Sequence, residues 1–258
     1  MRNEEFEIIK TLVGQSLAQA ETHWENGGYK LIKKSMVGTE AFYESVVMDS
    51  ALTRIPGHEF VQEGETIVDD FIAIVVDMRN STDHMLNVQS SIKLEGIQRV
   101  FYETSALLPA LEKTINIYHG GVTEYLGDGV LGFFKKNHEE PERFIYDAYN
   151  AAKDCLNATL GIVNDALNER YELPPLQIGI GLALSKTLIS LAGIEGARHA
   201  KAYGECVFRA TKISGGNNVI LIDSNLRSAW PSSKIGKLSF VLSNYGKSGV
   251  QGYRIQAK

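Results

Sequence analysis

Two aspartates and a hydroxyl-rich turn hold the chemistry this chain can offer. Asp77 closes an apolar run, Phe71-Ile-Ala-Ile-Val-Val, and opens onto Met78-Arg79-Asn80-Ser81-Thr82. Asp128 stands between two glycines in Glu124-Tyr-Leu-Gly127-Asp128-Gly129. Paired carboxylates with open positions suit Mg²⁺ or Mn²⁺, hard cations that prefer oxygen ligands and commonly bind through phosphates. The amides of Met78 to Thr82 lie where a turn and a helix N-terminus can cradle a phosphate. Each residue also has a plainer reading, since Asp favours hairpin turns and Asp before Ser-Thr can cap a helix. Spacing alone supports a metal–phosphate site and nothing narrower.

The elements that must position these groups follow from periodicity. The Ile- and Val-rich run at 70–77 is too short to cross a membrane and reads as a buried central strand. Phe6, Ile9, Leu12, Val13 and Leu17 predict an amphipathic helix over 3–23, cut off at Asn26-Gly-Gly. Residues 29–68 are less legible, with Ala41 to Val47 readable as strand or helix and Ile55-Pro-Gly-His as a turn. A long helical pattern covers 89–117, interrupted near Pro109. Val122–Leu126 and Val130–Phe134 form a hairpin around Gly127-Asp128-Gly129. Pro141 opens a second helix, which Pro174-Pro175 ends. Leu176–Leu184 and Thr187–Ile194 read as another hairpin, Glu205–Ile213 as a short helix, and 219–222, 238–242 and 252–255 as closing strands. Single crossovers mixed with hairpins predict an α+β sandwich with a mixed, mostly antiparallel sheet. Residues 1–68 are expected to be an N-terminal extension that supports a dimer or acts as a lid, and 69–258 a catalytic domain.

Composition excludes other classes. The chain is 44% hydrophobic and 22% charged, carries a net charge of −5, and shows no basic run, so nucleic-acid binding is not expected. No membrane span and no secretory signal appear, which predicts a cytoplasmic protein. Cys155 and Cys206 have no metal-ligand spacing and no disulfide framework.

Three blocks carry a family resemblance: Phe71-Ile-Ala-Ile-Val-Val-Asp77-Met-x-x-Ser81-Thr82, Leu126-Gly-Asp128-Gly-Val130, and Ala202-Tyr-Gly204-Glu-Cys-Val207. In that order they resemble the class III nucleotidyl cyclases, over residues 68–256. The resemblance implies a ferredoxin-like cyclase fold working as a homodimer with sites at the interface. It implies that Asp77 and Asp128, with the Met78 carbonyl, hold two Mn²⁺ or Mg²⁺ ions. It also implies that Arg79, Asn80, Ser81 and Thr82, with the late Lys247, hold the triphosphate. The ribose 3′-hydroxyl would attack the α-phosphorus and release pyrophosphate, with positioning and charge stabilisation carrying the rate.

By the same resemblance the base is read by Glu124, four residues before Asp128, and by Lys201, three before Gly204. Glu accepts from guanine N1–H, uracil N3–H or the cytosine amine, while Lys donates to a carbonyl. The pair argues against ATP and leaves UTP, CTP and GTP open, with uracil the better match to one acceptor and one donor. The third block departs from the purine cyclases, with Phe208 and Lys212 where a ribose-binding Asn and a transition-state Arg are usual. Lys212 or its neighbour Arg209 would then supply that charge. With Asp77-Met-Arg-Asn-Ser-Thr, these departures are most similar to the bacterial pyrimidine cyclases of Pycsar antiphage systems. They imply cyclic UMP or cyclic CMP as product and a separate cyclic-nucleotide-binding effector. A guanylyl cyclase and a catalytically silent, nucleotide-binding module are the rival readings. A diguanylate-cyclase relative is disfavoured, because no acidic pair follows Gly120-Gly121.

Overall fold

A computed structural model of the chain describes residues 1–28, 50–86, 93–194, 197–232, 238–243 and 249–257. The segment Ala41 to Val47 and Lys247 lie outside the described residues. In chain order the elements are α1 (Asn3–His23), which runs into a π turn at Trp24–Gly28, then β1 (Ser50–Leu52), β2 (Phe60–Gln62) and β3 (Ile67–Met78). Next come α2 (Ser81–Leu86), α3 (Gly96–Ile117), β4 (Gly121–Tyr125) and β5 (Gly129–Lys135). A long helix follows as α4 (Arg143–Asp154), a π turn at Cys155–Thr159 and α5 (Leu160–Tyr171). The remainder is β6 (Ile178–Ala192), β7 (His199–Gly204), α6 (Glu205–Ile213), β8 (Val219–Asp223), α7 (Ser224–Ala229), β9 (Leu238–Ser243) and β10 (Gly252–Ala257).

Eight strands form the main sheet in the order β4-β5-β3-β6-β8-β10-β9, with β7 paired to β6. Every described pairing is antiparallel except β6 with β8. The β4-β5-β3-β6 segment, with helical crossovers after β3 and β5, is the split βαβ arrangement of a ferredoxin-like sheet. The fold is α+β, as the order of elements predicts.

Alternation along β3 builds two cores. Ile72, Ile74, Val76 and Met78 face α1, α3, α4 and α5, meeting Ile9, Leu17, Leu107, Leu111, Ile115 and Leu167. Phe71, Ala73 and Val75 face the other way, against Cys206 and Ala210 of α6 and Ile55 and Val61 beside the β1–β2 hairpin. Asp77 continues the second series, so it leaves the strand on the α6 side. Gly181 lets α6 approach that face, because a Cβ there would stand 2.0 Å from the Ala210 carbonyl oxygen.

Three sequence expectations change. The predicted hairpin across 176–194 is one strand, because Ser185 and Lys186 pair with Phe71 and Asp70 in an unbroken β3–β6 ladder. Two polar residues there are part of a long strand, not a turn. The helix over 96–117 runs through Pro109 without a break; Ala106, Leu107, Ala110 and Leu111 around it are fully buried, and that packing outweighs one lost backbone hydrogen bond. The second helix begins at Arg143, two residues after Pro141. The N-terminal helix shares the main core: Ile9, Val13 and Leu17 are fully buried, worth about 1.5–3 kcal/mol each by apolar burial.

Candidate active site

Antiparallel pairing of β3 with β5 sets Asp77 opposite Gly129, the residue after Asp128. The Met78 amide donates to the Asp128 carbonyl oxygen at 3.1 Å, tying the strand end to the hairpin tip. Gly129 is required at this junction, since a Cβ there would come 2.4 Å from the Val76 carbonyl oxygen and 3.2 Å from Asp77 Oδ1. The two aspartates of the sequence pattern therefore stand at adjacent strand ends.

Beyond Met78 the chain turns sharply. The Arg79 amide donates to the Gln177 carbonyl oxygen at 2.8 Å, and Asn80 adopts the left-handed conformation, φ 62°, which Asn tolerates better than most residues. α2 starts at once, with the His84 amide bonded to the Asn80 carbonyl oxygen at 2.9 Å. The Arg79 guanidinium folds back to donate to the Asp77 carboxylate and, at 3.3 Å, to the Asp77 carbonyl oxygen. The Ser81 hydroxyl donates to Asp128 Oδ2. Burial pulls Arg79 below its ordinary pKa, and the charge of Asp128 opposes that shift. Asp77 is thus held by Arg79, while Asn80 and Thr82 stay exposed at the turn.

The donor set fits a hard divalent cation. It comprises two carboxylates and nearby main-chain oxygens, and a guanidinium already stands against Asp77 as a cation. Among the described residues no group of three or more His, Cys, Asp or Glu gathers as a self-sufficient metal cage. A cation here would need further oxygens from water or a phosphate, the usual arrangement for Mg²⁺.

The α2 segment has no buried residue and only six residues, too few to be stable alone. Polar contacts anchor it instead. His84 Nδ1 lies 2.9 Å from Glu103 Oε2, and Glu103 Oε1 accepts from Arg99 Nε at 2.7 Å. Glu103 is fully buried and Arg99 nearly so. Sequence reading missed this cluster, although Arg99 and Glu103 at i, i+4 on a helix were a visible signal.

On the α6 side of the sheet, where Asp77 leaves β3, Glu124 lies opposite Leu131, whose side chain belongs to the α6-side core. Lys201, on β7, brings Nζ to 3.3 Å from Glu124 Oε1. Both side chains keep more than a third of their surface exposed, at 39% and 37%. A solvated pair of this kind contributes at most about 1 kcal/mol, so stability does not explain it. It presents one donor and one acceptor side by side, open to solvent.

The α6 residues divide. Phe208 is 72% exposed, and Lys212 is exposed with no ion-pair partner among the described residues. Arg209 donates to Glu205 Oε2 at 3.1 Å and to Ser224 Oγ at 3.4 Å, and stands 3.6 Å from Asp223 Oδ2. That oxygen is buried and has no hydrogen-bond partner among the described residues. Burial raises the Asp223 pKa, opposed by the Leu226 and Leu184 amides and by Arg209. Arg209 is committed to this carboxylate, a contact that residue type alone did not reveal.

No sequence-family model matches the chain, and no curated protein does. Solved structures do. The guanylyl cyclase Cya2 superposes with a TM-score of 0.59 at 18% identity, covering 76% of this chain and 95% of that one. The adenylyl cyclase CyaB from P. aeruginosa gives 0.60 at 16%, covering 75% and 97%. The guanylate cyclase domain of RhGC from Catenaria anguillulae, in complex with GTP, gives 0.53 at 16%, covering 76% and 100%. The fold is that of the class III cyclase domains.

Proposed function

We propose that the chain is a nucleotidyl cyclase that converts UTP to 3′,5′-cyclic UMP and pyrophosphate. The observation that carries this reading is the approach of Asp77 and Asp128 at adjacent strand ends, on a fold shared with nucleotide cyclases. Asp77, Asp128 and the Met78 carbonyl would hold Mn²⁺ or Mg²⁺, which when bound would activate the 3′-hydroxyl and neutralise phosphoryl charge. Arg79, Asn80, Ser81 and Thr82 would position the triphosphate, with Lys247 on its tail. The 3′-oxygen forms its bond to the α-phosphorus as the bond to the bridging oxygen breaks. The hydroxyl proton goes to solvent and the electron pair leaves with pyrophosphate.

Glu124 and Lys201 fit the edge of uracil, Glu124 accepting from N3–H and Lys201 donating to a carbonyl. Cytosine can be drawn in the same pocket with the amine on Glu124. Lys212, free of any described partner, is better available than Arg209 to meet charge on the α-phosphate. The side chains Tyr125, Leu126 and Tyr203 are exposed on the β4–β5 hairpin and β7, which carry Asp128, Glu124 and Lys201, and Phe208 is exposed on α6. These exposed apolar groups support a homodimer with shared sites. Among the described residues no helix is long and apolar enough to cross a membrane, which accords with a cytoplasmic enzyme. The product would act as a messenger for a separate cyclic-nucleotide-binding effector in antiphage defence.

A guanylyl cyclase is the second reading, favoured by the GTP complex of a structural neighbour and by a carboxylate at the base-reading position. Incubating the protein and Mn²⁺ with each of the four NTPs, with chromatographic detection, separates these readings. UTP turnover is expected, lost in Asp77→Ala and in Asp128→Ala. Turnover of GTP alone overturns the pyrimidine reading, and no turnover of any NTP favours a silent binding module.

A further inference from the structure

The guanidinium of Arg79 points at a carboxylate that the proposed reaction needs for a metal. Its side chain is only 15% exposed, and among the described residues its hydrogen bonds go to Asp77, to the carboxylate and to the carbonyl oxygen. Asp128 is close enough for its charge to act on the same group. Arg79 therefore stands against the Asp77 carboxylate as its cation. A guanidinium stays charged in proteins and cannot leave a site by losing a proton. It can only be displaced, or drawn to a better anion.

We propose that Arg79 is a placeholder cation, which neutralises Asp77 in the nucleotide-free protein and transfers to the triphosphate when nucleotide binds. The proposal rests on the two-carboxylate metal–nucleotide reading given above. Its physical content is a partner exchange. A divalent cation and a guanidinium cannot share the Asp77 carboxylate without mutual repulsion, so metal alone binds against Arg79. A triphosphate gives the planar fork a bidentate partner of higher charge. Once Arg79 has moved, Asp77 is free for metal, and the phosphates supply the remaining oxygens. Metal and nucleotide then favour one another through a single side chain, by the reciprocity any binding coupling obeys. The geometry permits the motion: the turn at 79–82 lies on the surface, and α2 behind it is fixed by the His84–Glu103–Arg99 cluster and not by Arg79.

The test uses binding and no turnover. Mn²⁺ alone is titrated against the nucleotide-free protein, with free Mn²⁺ read by electron paramagnetic resonance. Inorganic tripolyphosphate is titrated separately in EDTA by calorimetry. Arg79→Gln, which keeps length and removes charge, is expected to bind Mn²⁺ about tenfold more tightly than the parent and tripolyphosphate about tenfold more weakly. Arg79→Lys, which keeps the charge, is expected to stay close to the parent for Mn²⁺. Unchanged or weaker Mn²⁺ binding in Arg79→Gln overturns the proposal. An equal gain in Arg79→Gln and Arg79→Lys overturns it as well, since shape and not charge would then be responsible. Asp77→Asn serves as the reference and is expected to lose Mn²⁺ binding. Parent-like Mn²⁺ binding by Asp77→Asn would sink the two-carboxylate reading itself, and the placeholder with it.

Discussion

At Glu124 and Lys201 an acceptor and a donor stand 3.3 Å apart with neither buried. If they read a base, Lys201→Ala removes a hydrogen bond from a charged donor, an interaction of about 1.5–3 kcal/mol. KM for the preferred nucleotide should then rise by about tenfold or more with a smaller change in kcat. Steady-state kinetics on all four NTPs checks this, and an unaltered preference in the variant removes Lys201 from recognition. The meeting of Asp77 and Asp128 was legible in sequence because its signal is local: residue type, an apolar run and a glycine-flanked turn. The direction of Arg79 was not, because it depends on the left-handed backbone at Asn80 and on a carboxylate exposed only once β3 has paired. Arg209 was read as a candidate for transition-state charge, but its partner Asp223 comes from another element, beyond the reach of local pattern.

Elements were legible where an apolar run or stripe ends at turn residues, and ambiguous where a polar step lies inside a strand. β3, the β4–β5 hairpin and α6 announce themselves by periodicity and turn residues. β6 does not, because its polar Ser185-Lys186 step imitates a turn although the ladder with β3 runs through it. The short α2 depends on a buried ion pair for its position, which gives a prediction at this scale. Glu103→Ala leaves Arg99 buried without its partner, a loss of about 3–5 kcal/mol. Urea denaturation should show a lower midpoint. Nucleotide binding should weaken even under conditions where the variant is folded, because Ser81 and Thr82 ride on α2. A midpoint within error of the parent would mean that α2 has another anchor.

At the scale of the whole molecule, the order of helices and strands was enough for an α+β sheet with mixed connections. The place of the N-terminal helix was not, since an amphipathic pattern shows that a face is buried without showing against what. In the structure, α1 covers α3 and α5 and shares their core. Assembly gives the remaining prediction. If the metal aspartates and the transition-state lysine of one site come from different subunits, an inactive Asp77→Ala chain mixed with an inactive Lys212→Ala chain should regain part of the parent activity. The measurement is turnover in a purified heterodimer, and its failure there would confine each site to one chain.

The β3–β6 ladder pairs every residue of β3 from Ile67 to Met78, and β5 closes the other edge from Phe71 to Asp77. One residue later the chain enters a turn, and the short helix after it buries no side chain. Local stability follows buried contacts and ladder bonds, so the two sides of this boundary open on different timescales. Amide exchange is therefore expected to be slowest around Asp77, whose strand is paired on both edges, and faster from Arg79 to Leu86. The candidate site therefore has one side set in the sheet and one side carried by a short helix, and slow product release would be governed by the second.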